Sequence, residues 1–390
     1  MSQKLSRGTG NDATVGRVLV IFGTRPEAIK MAPVVTALRR RTELATYVCV
    51  TGQHRQMLDQ VLDIFDIKPD YDLNLMRTGQ SLETMTAEIL RQVGVVLDEL
   101  QPQWVLVHGD TTTAFAAALA CFYRGIRVGH VEAGLRTGDL YAPWPEEMNR
   151  RFVDMVSTLL WAPTAKAARN LLNEGKQADQ ITVTGNTVID ALFHARAILT
   201  QDQDLQLRMQ QKFSFLNTSK RLILVTGHRR ESFSGGLSEL CAALVVLSSR
   251  PDIEIVWPVH LNPLVQGVVT SALADRANVH LLAPQDYLSF VELMSRSCLI
   301  ITDSGGIQEE APALDKPVLV ARDVTERPEV LESGAARLIG TMRASIIAGT
   351  NCILDSDDEY HRMASAPNPF GDGGAAERIV GTLLAGLCHD

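Results

Sequence analysis

The chain has no closely spaced cysteines of the kind that hold a metal or form a disulfide framework. Its six cysteines are scattered, and none falls in a C-x-x-C pair: Cys49, Cys121, Cys241, Cys298, Cys352 and Cys388. Structural zinc sites and small disulfide scaffolds both need cysteines at short, regular spacings. We therefore expect no metal, no disulfide framework and a reducing, cytoplasmic location.

A strongly basic face is also missing. The 390 residues carry a formal net charge of -8. Binding to nucleic acid calls for clustered positive charge, because the phosphate backbone is recognised through it. Residues 1–16 are polar and have no apolar core, so we expect a disordered leader there and no signal peptide or membrane anchor. The sequence thus predicts neither a nucleic-acid partner nor a membrane partner.

The two common glycine-rich nucleotide fingerprints are absent as well. The chain contains neither G-x-G-x-x-G nor G-x-x-x-x-G-K-[ST]. The first absence argues against a bound dinucleotide, and the second argues against an NTPase. We expect no cofactor.

Short, continuously apolar runs alternate with amphipathic segments of helix length along the rest of the chain. Such runs are typical of parallel strands that helices cover on both faces. They lie at Val18–Phe22, Tyr47–Thr51, Trp104–His108, Ile126–Val131, Leu159–Ala162, Ile181–Thr184, Arg221–Thr226, Ile253–Val259, Val279–Leu282, Cys298–Thr302 and Pro317–Val320. We predict an α/β protein with two doubly wound Rossmann-like domains, at 17–187 and 188–372, and a ligand cleft between them. A final helix at about 373–388 is expected to pack back onto the first domain.

Polar motifs follow the predicted strands of the first domain. Arg25 and Lys30 come after the first strand, Asp110 and Glu132 after later ones, and Glu146 begins a helix. Each has a structural alternative, since Asp110 can cap a helix, Glu146 can be a first-turn carboxylate and Arg25 can be a solvated charge. Their common position at strand ends favours a ligand site.

The second domain carries a turn that suits an anion. Ser304-Gly305-Gly306 follows an apolar run and opens a helix. Glycine lets the backbone approach a ligand, and the N–H groups of a first helical turn suit a phosphate, although the same turn also serves as a plain connection. His228 adjoins two arginines after another strand, and Arg327 lies in a later loop. These cations can bind a diphosphate, while a lone histidine at a strand end can equally be structural.

Nine motifs occur together and in order: FGTRPEAIKMAP, HGDTTT, HVEAGLRTGD, PWPEEMNR, GNTVID, GHRRES, PVHLNP, DSGGIQEEAP and TERPE. With them the sequence resembles the non-hydrolysing bacterial UDP-N-acetylglucosamine 2-epimerases from about Val18 to the terminal helix. The resemblance implies a glycosyltransferase-B-like architecture with a UDP-sugar as ligand, and a homodimer. It also implies the interconversion of UDP-GlcNAc and UDP-ManNAc, which feeds surface polysaccharide synthesis.

The chemistry of that reaction explains the residue types. The C2 proton of the sugar is not beside a carbonyl, so an enzyme must either oxidise a neighbouring carbon with nicotinamide or expel UDP from C1. The missing dinucleotide fingerprint favours the second route, in which UDP leaves, a carboxylate removes the acidified proton, and UDP adds back to a 2-acetamidoglucal. Each face of C2 then needs an acid or base, and the leaving diphosphate needs cations. The resemblance assigns these catalytic roles to Asp110, Glu132, Glu146 and His228, and leaves open which acid serves which face.

The resemblance also names binding residues. Those that contact the nucleotide sugar are Arg25, Lys30, Gln285, Phe290, Ser304, Gly305, Gly306, Glu310 and Arg327. In some family members a second UDP-GlcNAc activates the enzyme, and the residues that resemble this allosteric site are Gln53, His54, Gln56, Arg77 and His260. A polar loop is the structural alternative for that last set.

Related activities stay open on the sequence alone. A 2-epimerase of a modified sugar, such as UDP-2,3-diacetamido-glucuronate, would need an additional cation near C6, which the sequence does not place. A hydrolysing epimerase would release free ManNAc, and a glycosyltransferase of the same architecture would need an acceptor. A nucleotide-sugar sensor would need no carboxylates, so the acids at the strand ends weigh against it.

Overall fold

The structure of the protein is a computed structural model that describes residues 16–52, 55–75, 79–227 and 235–387. The chain forms two units. The first holds the residues up to Thr187 together with those from Gly374 onward, and the second is Val188–Gly373.

The first unit is built on a parallel sheet. Its strands are β1 Gly16–Phe22, β2 Leu44–Val50, β3 Tyr71–Asp72, β4 Trp104–His108, β5 Arg127–Val131, β6 Leu159–Ala162 and β7 Ile181–Val183. Its helices include α1 Arg25–Arg39, α2 Arg55–Ile64, α3 Leu82–Leu100, α4 Thr112–Phe122, α5 Glu146–Val156 and α6 Ala165–Asn173. The strand order is β3-β2-β1-β4-β5-β6-β7, and every pair is parallel. The carboxyl ends of the strands therefore lie along one edge of the sheet.

The second unit repeats this plan. Its strands are β8 Arg221–Thr226, β9 Ile253–Pro258, β10 Val279–Leu282, β11 Leu299–Thr302, β12 Val318–Val320 and β13 Ala336–Leu338. The helices from the crossover onward are α7 Thr187–Gln201, α8 Gln203–Lys212, α9 Gly236–Leu247, α10 Pro263–Leu273, α11 Tyr287–Arg296, α12 Gly305–Glu310, α13 Pro328–Glu332, α14 Arg343–Leu354 and α15 Asp357–Ala364. The parallel strands follow the order β10-β9-β8-β11-β12-β13. This order, with two strands wound out on one side of the first and three on the other, is Rossmann-like.

Both sheets confirm the predicted α/β class. Each of the predicted apolar runs contains a strand. The apolar side chains of these strands form the core, and four of them are fully buried: Leu19, Val105, Ile223 and Ile300. Strands β3 and β13 were not predicted. Gly16, which we expected in the leader, is instead the first residue of β1, since its N–H donates to Glu43 O at 3.1 Å. The rest of the predicted leader lies outside the described residues.

The last helix, α16 Ala375–Leu387, belongs to the first unit. Trp161 Nε1 of β6 donates to Thr382 Oγ1 at 2.7 Å, and Arg378 Nη1 donates to the carbonyl of Thr184 at 2.9 Å. Helix α16 also packs beside α1. No helix in the described part of the chain is long and apolar enough to cross a membrane.

Candidate active site

Glu132 lies at the carboxyl end of β5, in a cluster of polar side chains. Its Oε1 forms an ion pair with Lys30 Nζ of α1 and accepts from Asn186 Nδ2 at 2.9 Å. Its Oε2 lies 3.5 Å from His108 Nε2 at the end of β4. The Glu132 side chain is only 10% exposed and that of Lys30 14%, so the pair is largely shielded from water. The structure thus brings together the predicted residues Lys30 and Glu132, and adds His108 and Asn186, which the sequence did not single out.

The backbone of Glu132 is unusual. Its φ is +69°, in the left-handed region that residues other than glycine seldom adopt. Such a conformation costs roughly 1–3 kcal/mol and is found most often at functional sites, where surrounding contacts hold it in place. The contacts to Lys30 and Asn186 supply that restraint here.

Asp110 follows β4, and its carboxylate pairs with Arg150 of α5. The backbone carbonyl of Asp110 accepts from Asn149 Nδ2 at 2.9 Å, so two side chains of α5 hold this turn. The helix after the turn is capped by Thr111, whose hydroxyl accepts from Ala114 N. The helix-cap alternative for Asp110 is therefore wrong, and its carboxylate serves an interaction with α5.

Glu146 is the first residue of α5 and is half-buried. It lies three and four residues before Asn149 and Arg150, and residues at those spacings share one face of a helix. Glu146 is thus on the face of α5 that contacts the Asp110 turn. Within the described residues its carboxylate has no hydrogen-bond or ion-pair partner, unlike the neighbouring Glu147, which is fully buried and pairs with Arg150 and Arg151.

A buried network that was not predicted from the sequence connects the turn after β4, the turn after β5 and helix α5. His130 of β5 is fully buried; its Nδ1 lies 2.6 Å from Asp154 Oδ1, and its Nε2 donates to the carbonyl of Gly109 at 2.8 Å. Asp154 Oδ2 also accepts from Gly134 N and from Arg136. Burial alone would raise the pKa of Asp154, but His130 and Arg136 lower it below its usual value. Asp154 thereby fastens α5 to the turns that carry Asp110 and Glu132.

The start of α1 is tied to the same turn by a second buried acid. Glu27 Oε2 accepts from Gly23 N and Thr24 N, and its Oε1 accepts from Thr111 Oγ1 at 2.6 Å. Burial raises the pKa of Glu27, while the hydrogen bonds act in the opposite direction. Because Arg25 and Lys30 both lie on α1, this contact fixes the helix that carries them beside the end of β4.

Gly134, in the loop after Glu132, leads to a stability prediction. Its φ is +84°, and a Cβ atom there would lie 2.3 Å from the carbonyl oxygen of Ala167. Gly175 has a φ of +87° but has open space around its Cβ position. Replacing Gly175 with alanine should cost only the left-handed strain, about 1–2 kcal/mol. Gly134→Ala adds a collision with backbone, so its loss in free energy of unfolding should be larger by roughly 1–3 kcal/mol.

Urea unfolding of the two variants and the wild type measures this difference. The Gly175→Ala variant is the matched control, because its backbone conformation is nearly the same and its steric surroundings are not. Equal losses in the two variants would contradict the close approach of the Glu132 loop to α6.

In the second unit, the turn predicted to hold an anion has the expected strand-turn-helix form. Ser304 occupies the N-cap position of α12, which begins at Gly305, without a side-chain capping bond. Its N–H donates to Thr302 Oγ1 at 2.9 Å. A Cβ added at Gly306 would meet no atom within 4 Å. Packing within the protein therefore does not demand glycine at this position, whereas the close approach of a ligand would.

Helix α12 also fixes the loop that carries Arg327. Glu309 Oε1 accepts from Arg327 Nε at 2.5 Å, and Gln308 Oε1 accepts from Thr325 Oγ1 at 2.6 Å. Glu309 and Gln308 are buried, and so is the predicted binding residue Glu310. The structure thus brings the predicted turn, Glu310 and Arg327 together, and assigns one guanidinium nitrogen of Arg327 to Glu309.

The remaining predicted residues lie in several places. Gln285 follows β10 and donates to Ala283 O at 2.6 Å, Phe290 is a half-buried residue of α11, and His260 follows β9, where its Nδ1 accepts from Asn262 N. Gln56 lies in α2. The other predicted residues lie outside the described part of the chain: Gln53, His54, Arg77 and His228. Among the residues that the structure covers, no group of His, Cys, Asp and Glu side chains is arranged to hold a metal ion.

Residues 36–384 match the family described as UDP-N-acetylglucosamine 2-epimerase. The UDP-N-acetylglucosamine 2-epimerase of Yersinia pestis is 53% identical over 368 residues, which cover 94% of this chain and 98% of that protein. The crystal structure of UDP-GlcNAc 2-epimerase from Neisseria meningitidis bound to UDP-GlcNAc has a TM-score of 0.89 at 48% identity, over 95% of this chain and 100% of that one. A glycosyltransferase from Rickettsia africae, at 13% identity and a TM-score of 0.59 over 96% of both chains, shares the fold. The predicted glycosyltransferase-B-like fold is thus confirmed.

Proposed function

The chain belongs to the UDP-N-acetylglucosamine 2-epimerase family, and from this premise we propose that it interconverts UDP-GlcNAc and UDP-ManNAc without hydrolysing them. One observation supports a catalytic role in addition to membership of the family. Three carboxylates predicted from the sequence lie on segments that a single buried network joins, through the contacts of Asp154 and His130. A sensor or a simple binding protein has no use for such an arrangement.

We propose that the acids of the first unit move protons at C2 of the sugar. In the forward direction one carboxylate takes the C2 proton, the electrons of that bond form the C1–C2 double bond, and the pair of the C1–O bond leaves with UDP. In the return, a second carboxyl group gives a proton to the opposite face of C2, and a phosphate oxygen of UDP attacks C1. Glu132, Asp110 and Glu146 are the groups proposed for these two roles, since both faces of C2 must be served.

The second unit is proposed to bind UDP. A Cβ at Gly306 would meet no atom within 4 Å, so the surroundings of this glycine are open, and Glu309 of the same helix holds Arg327. Hydrogen bonds from cations and backbone N–H groups stabilise a diphosphate and, in the transition state, the charge that develops on the leaving group. We propose His228 as a further contact to the diphosphate, and Gln285 and Phe290 as contacts to the uracil.

The proposal also covers the oligomeric state of the protein and its location in the cell. Val95, Phe122 and Tyr123 are exposed apolar side chains beside the contact of Arg124 with Asp98, where α3 meets the end of α4. Contiguous exposed apolar surface is typical of a protein interface. We propose a homodimer formed through this face, in the cytoplasm, with surface polysaccharide synthesis as the consumer of the product. Sedimentation analysis measures the mass in solution.

We also propose a second, activating site for UDP-GlcNAc, with His260 of the second unit among its residues. An activator shifts a conformational equilibrium only if it binds the active state more tightly. Purified UDP-ManNAc should therefore be converted with an initial lag, which a trace of UDP-GlcNAc removes. The measurement is a reverse progress curve followed by NMR. A reaction that starts at full rate from rigorously purified UDP-ManNAc would remove the second site from the proposal and leave the epimerase activity intact.

Incubation of the pure protein with UDP-GlcNAc alone, followed by NMR analysis of the products, tests the proposed function. Formation of UDP-ManNAc until a stable ratio is reached is the expected result. Free ManNAc together with UDP would identify a hydrolysing epimerase instead. No change with UDP-GlcNAc, but conversion of UDP-2,3-diacetamido-glucuronate, would identify a modified substrate, and transfer only after an acceptor is added would identify a glycosyltransferase.

A further inference from the structure

His108 is a buried histidine whose ring nitrogens are not engaged. It is the last residue of β4, and its side chain is only 6% exposed. Neither Nδ1 nor Nε2 has a hydrogen-bond partner among the described residues. Buried polar atoms without partners are rare in folded proteins and cost about 1–3 kcal/mol each, so the position calls for an explanation.

The neighbouring histidine shows what a structural role looks like in this sheet. His130 on the adjacent strand β5 is also buried, but both of its ring nitrogens are occupied, one by Asp154 and one by the carbonyl of Gly109. His108 instead directs Nε2 toward the second oxygen of Glu132, at 3.5 Å. The other oxygen of Glu132 is already taken by Lys30 and Asn186.

The ring of His108 is uncharged at ordinary pH. Burial lowers its pKa to about 3, with smaller contributions in the same direction from Lys30 and His130, while Glu132 acts in the opposite sense. These are the charged and titratable groups that face the ring. A neutral ring can direct a hydrogen bond at a carboxylate without adding a second full positive charge beside Lys30.

We propose that His108 is a positioning residue for Glu132: its Nε2 faces Oε2 of the carboxylate at 3.5 Å, and this contact fixes the rotation of that group. Lys30 and Asn186 contact Oε1 of Glu132, and His108 lies on the Oε2 side of the same carboxylate. The oxygen that accepts the C2 proton must lie in a defined direction, because proton transfer needs hydrogen-bond geometry. This role rests on the proposed epimerase function of Glu132.

The test compares His108→Phe, which keeps a ring but has no donor, with His108→Gln, whose amide nitrogen can take the place of Nε2. His108→Phe should lower kcat at least about 10-fold with KM changed less than about 2-fold, since the acid is misdirected and UDP binding is untouched. Because an N–H directed at a carboxylate favours its charged form, the acid limb of the kcat/KM profile should also move up by about one pH unit if Glu132 is the base. His108→Gln should return that limb to its wild-type position.

His280→Phe is the matched control. His280 Nε2 on β10 also has no hydrogen-bond partner in the described residues, and it lies 3.6 Å from Glu254, a buried acid of the second unit that has no proposed catalytic role. This variant should keep the wild-type kcat and pH profile. If His108→Phe lowers kcat with an unmoved acid limb and no rescue by glutamine, or leaves kcat unchanged, the positioning role is wrong.

Nitrogen-15 NMR of the histidine rings provides a readout that needs neither turnover nor a stable phenylalanine variant. The nine histidines of the wild type are recorded from pH 5.5 to 8.5, and His108 is assigned by its loss in His108→Gln. We expect a neutral, Nε2-protonated ring throughout whose shifts change in Glu132→Gln. A ring that titrates in this range, or that carries its proton on Nδ1, would overturn the inference. If the wild type fails to epimerise UDP-GlcNAc, the proposed function falls, while the NMR result still decides whether His108 pairs with Glu132.

Discussion

Glu132→Gln is expected to lower kcat for UDP-GlcNAc by at least about 10²-fold, the low end for removal of a positioned proton-transfer group. Glutamine keeps the shape of the side chain and can still accept from Asn186, but its amide cannot take a proton from C2. The KM should change little, because the nucleotide contacts proposed for the second unit are untouched. Steady-state kinetics at saturating UDP-GlcNAc measure both constants.

The same loss in kcat is expected for Asp110→Asn and Glu146→Gln, but the two substitutions have different local consequences. Asp110 is paired with Arg150, whereas Glu146 has no partner within the described residues. Substitution of Asp110 therefore removes an ion pair as well as an acid, and substitution of Glu146 removes the acid alone. Near-wild-type turnover in any one of the three variants would return that residue to a structural role.

A change in folding must be separated from a change in chemistry. Glu132→Gln leaves the ammonium of Lys30 largely buried beside a neutral amide, and a buried charge without its partner is destabilising. The double variant Lys30→Met/Glu132→Gln removes both charges and should recover thermal stability without recovering kcat. Glu88 is a half-buried acid of α3 that pairs with Arg91. The variant Glu88→Gln is the control for a neutralised carboxylate away from the site and should keep full activity.

The fold could be predicted because its strands are buried. Strand β4 is buried at every position, which the sequence shows as an unbroken apolar run. Strands β3 and β13 were missed since they have only two and three residues and are partly exposed, so no apolar run marks them. The pattern of apolar residues reports burial, and a short strand at the edge of a sheet has little of it.

The acids of the site could be predicted from the sequence, but the contacts that support them could not. Glu132 directly follows an apolar run and Asp110 comes two residues after one, and a polar residue after a parallel strand is expected at the ligand edge. Arg150 pairs with an acid 40 residues away, and Asp154 with a histidine 24 residues away. No local spacing encodes such pairs, because they depend on where α5 packs against the sheet.

Turnover of UDP-GlcNAc in heavy water is expected to place solvent deuterium at C2 of both sugars in the final mixture. Inversion requires that the proton added to one face of C2 does not come from the group that removed the proton on the other face. Asp110 is more open to solvent than Glu132, with 29% of its side chain exposed against 10%, so at least one of the three acids exchanges its proton with water between turnovers. Proton and carbon NMR of the equilibrium mixture measures the deuterium content. A C2 position that keeps its original proton would contradict proton transfer at that carbon.

Deuterium alone does not distinguish loss of UDP from an oxidation beside C2, since both make the C2 proton acidic. An oxygen-18 label in the bridge between C1 and the β-phosphate separates the two routes. When UDP leaves, its terminal phosphate can rotate, so the label should spread to the non-bridging oxygens as deuterium enters C2. Phosphorus NMR of the same sample follows that spread. Deuterium at C2 with a label that stays in the bridge would mean that the C1–O bond never breaks, and the Asp110, Glu132 and Glu146 carboxylates would then be serving a different reaction at the same carbon.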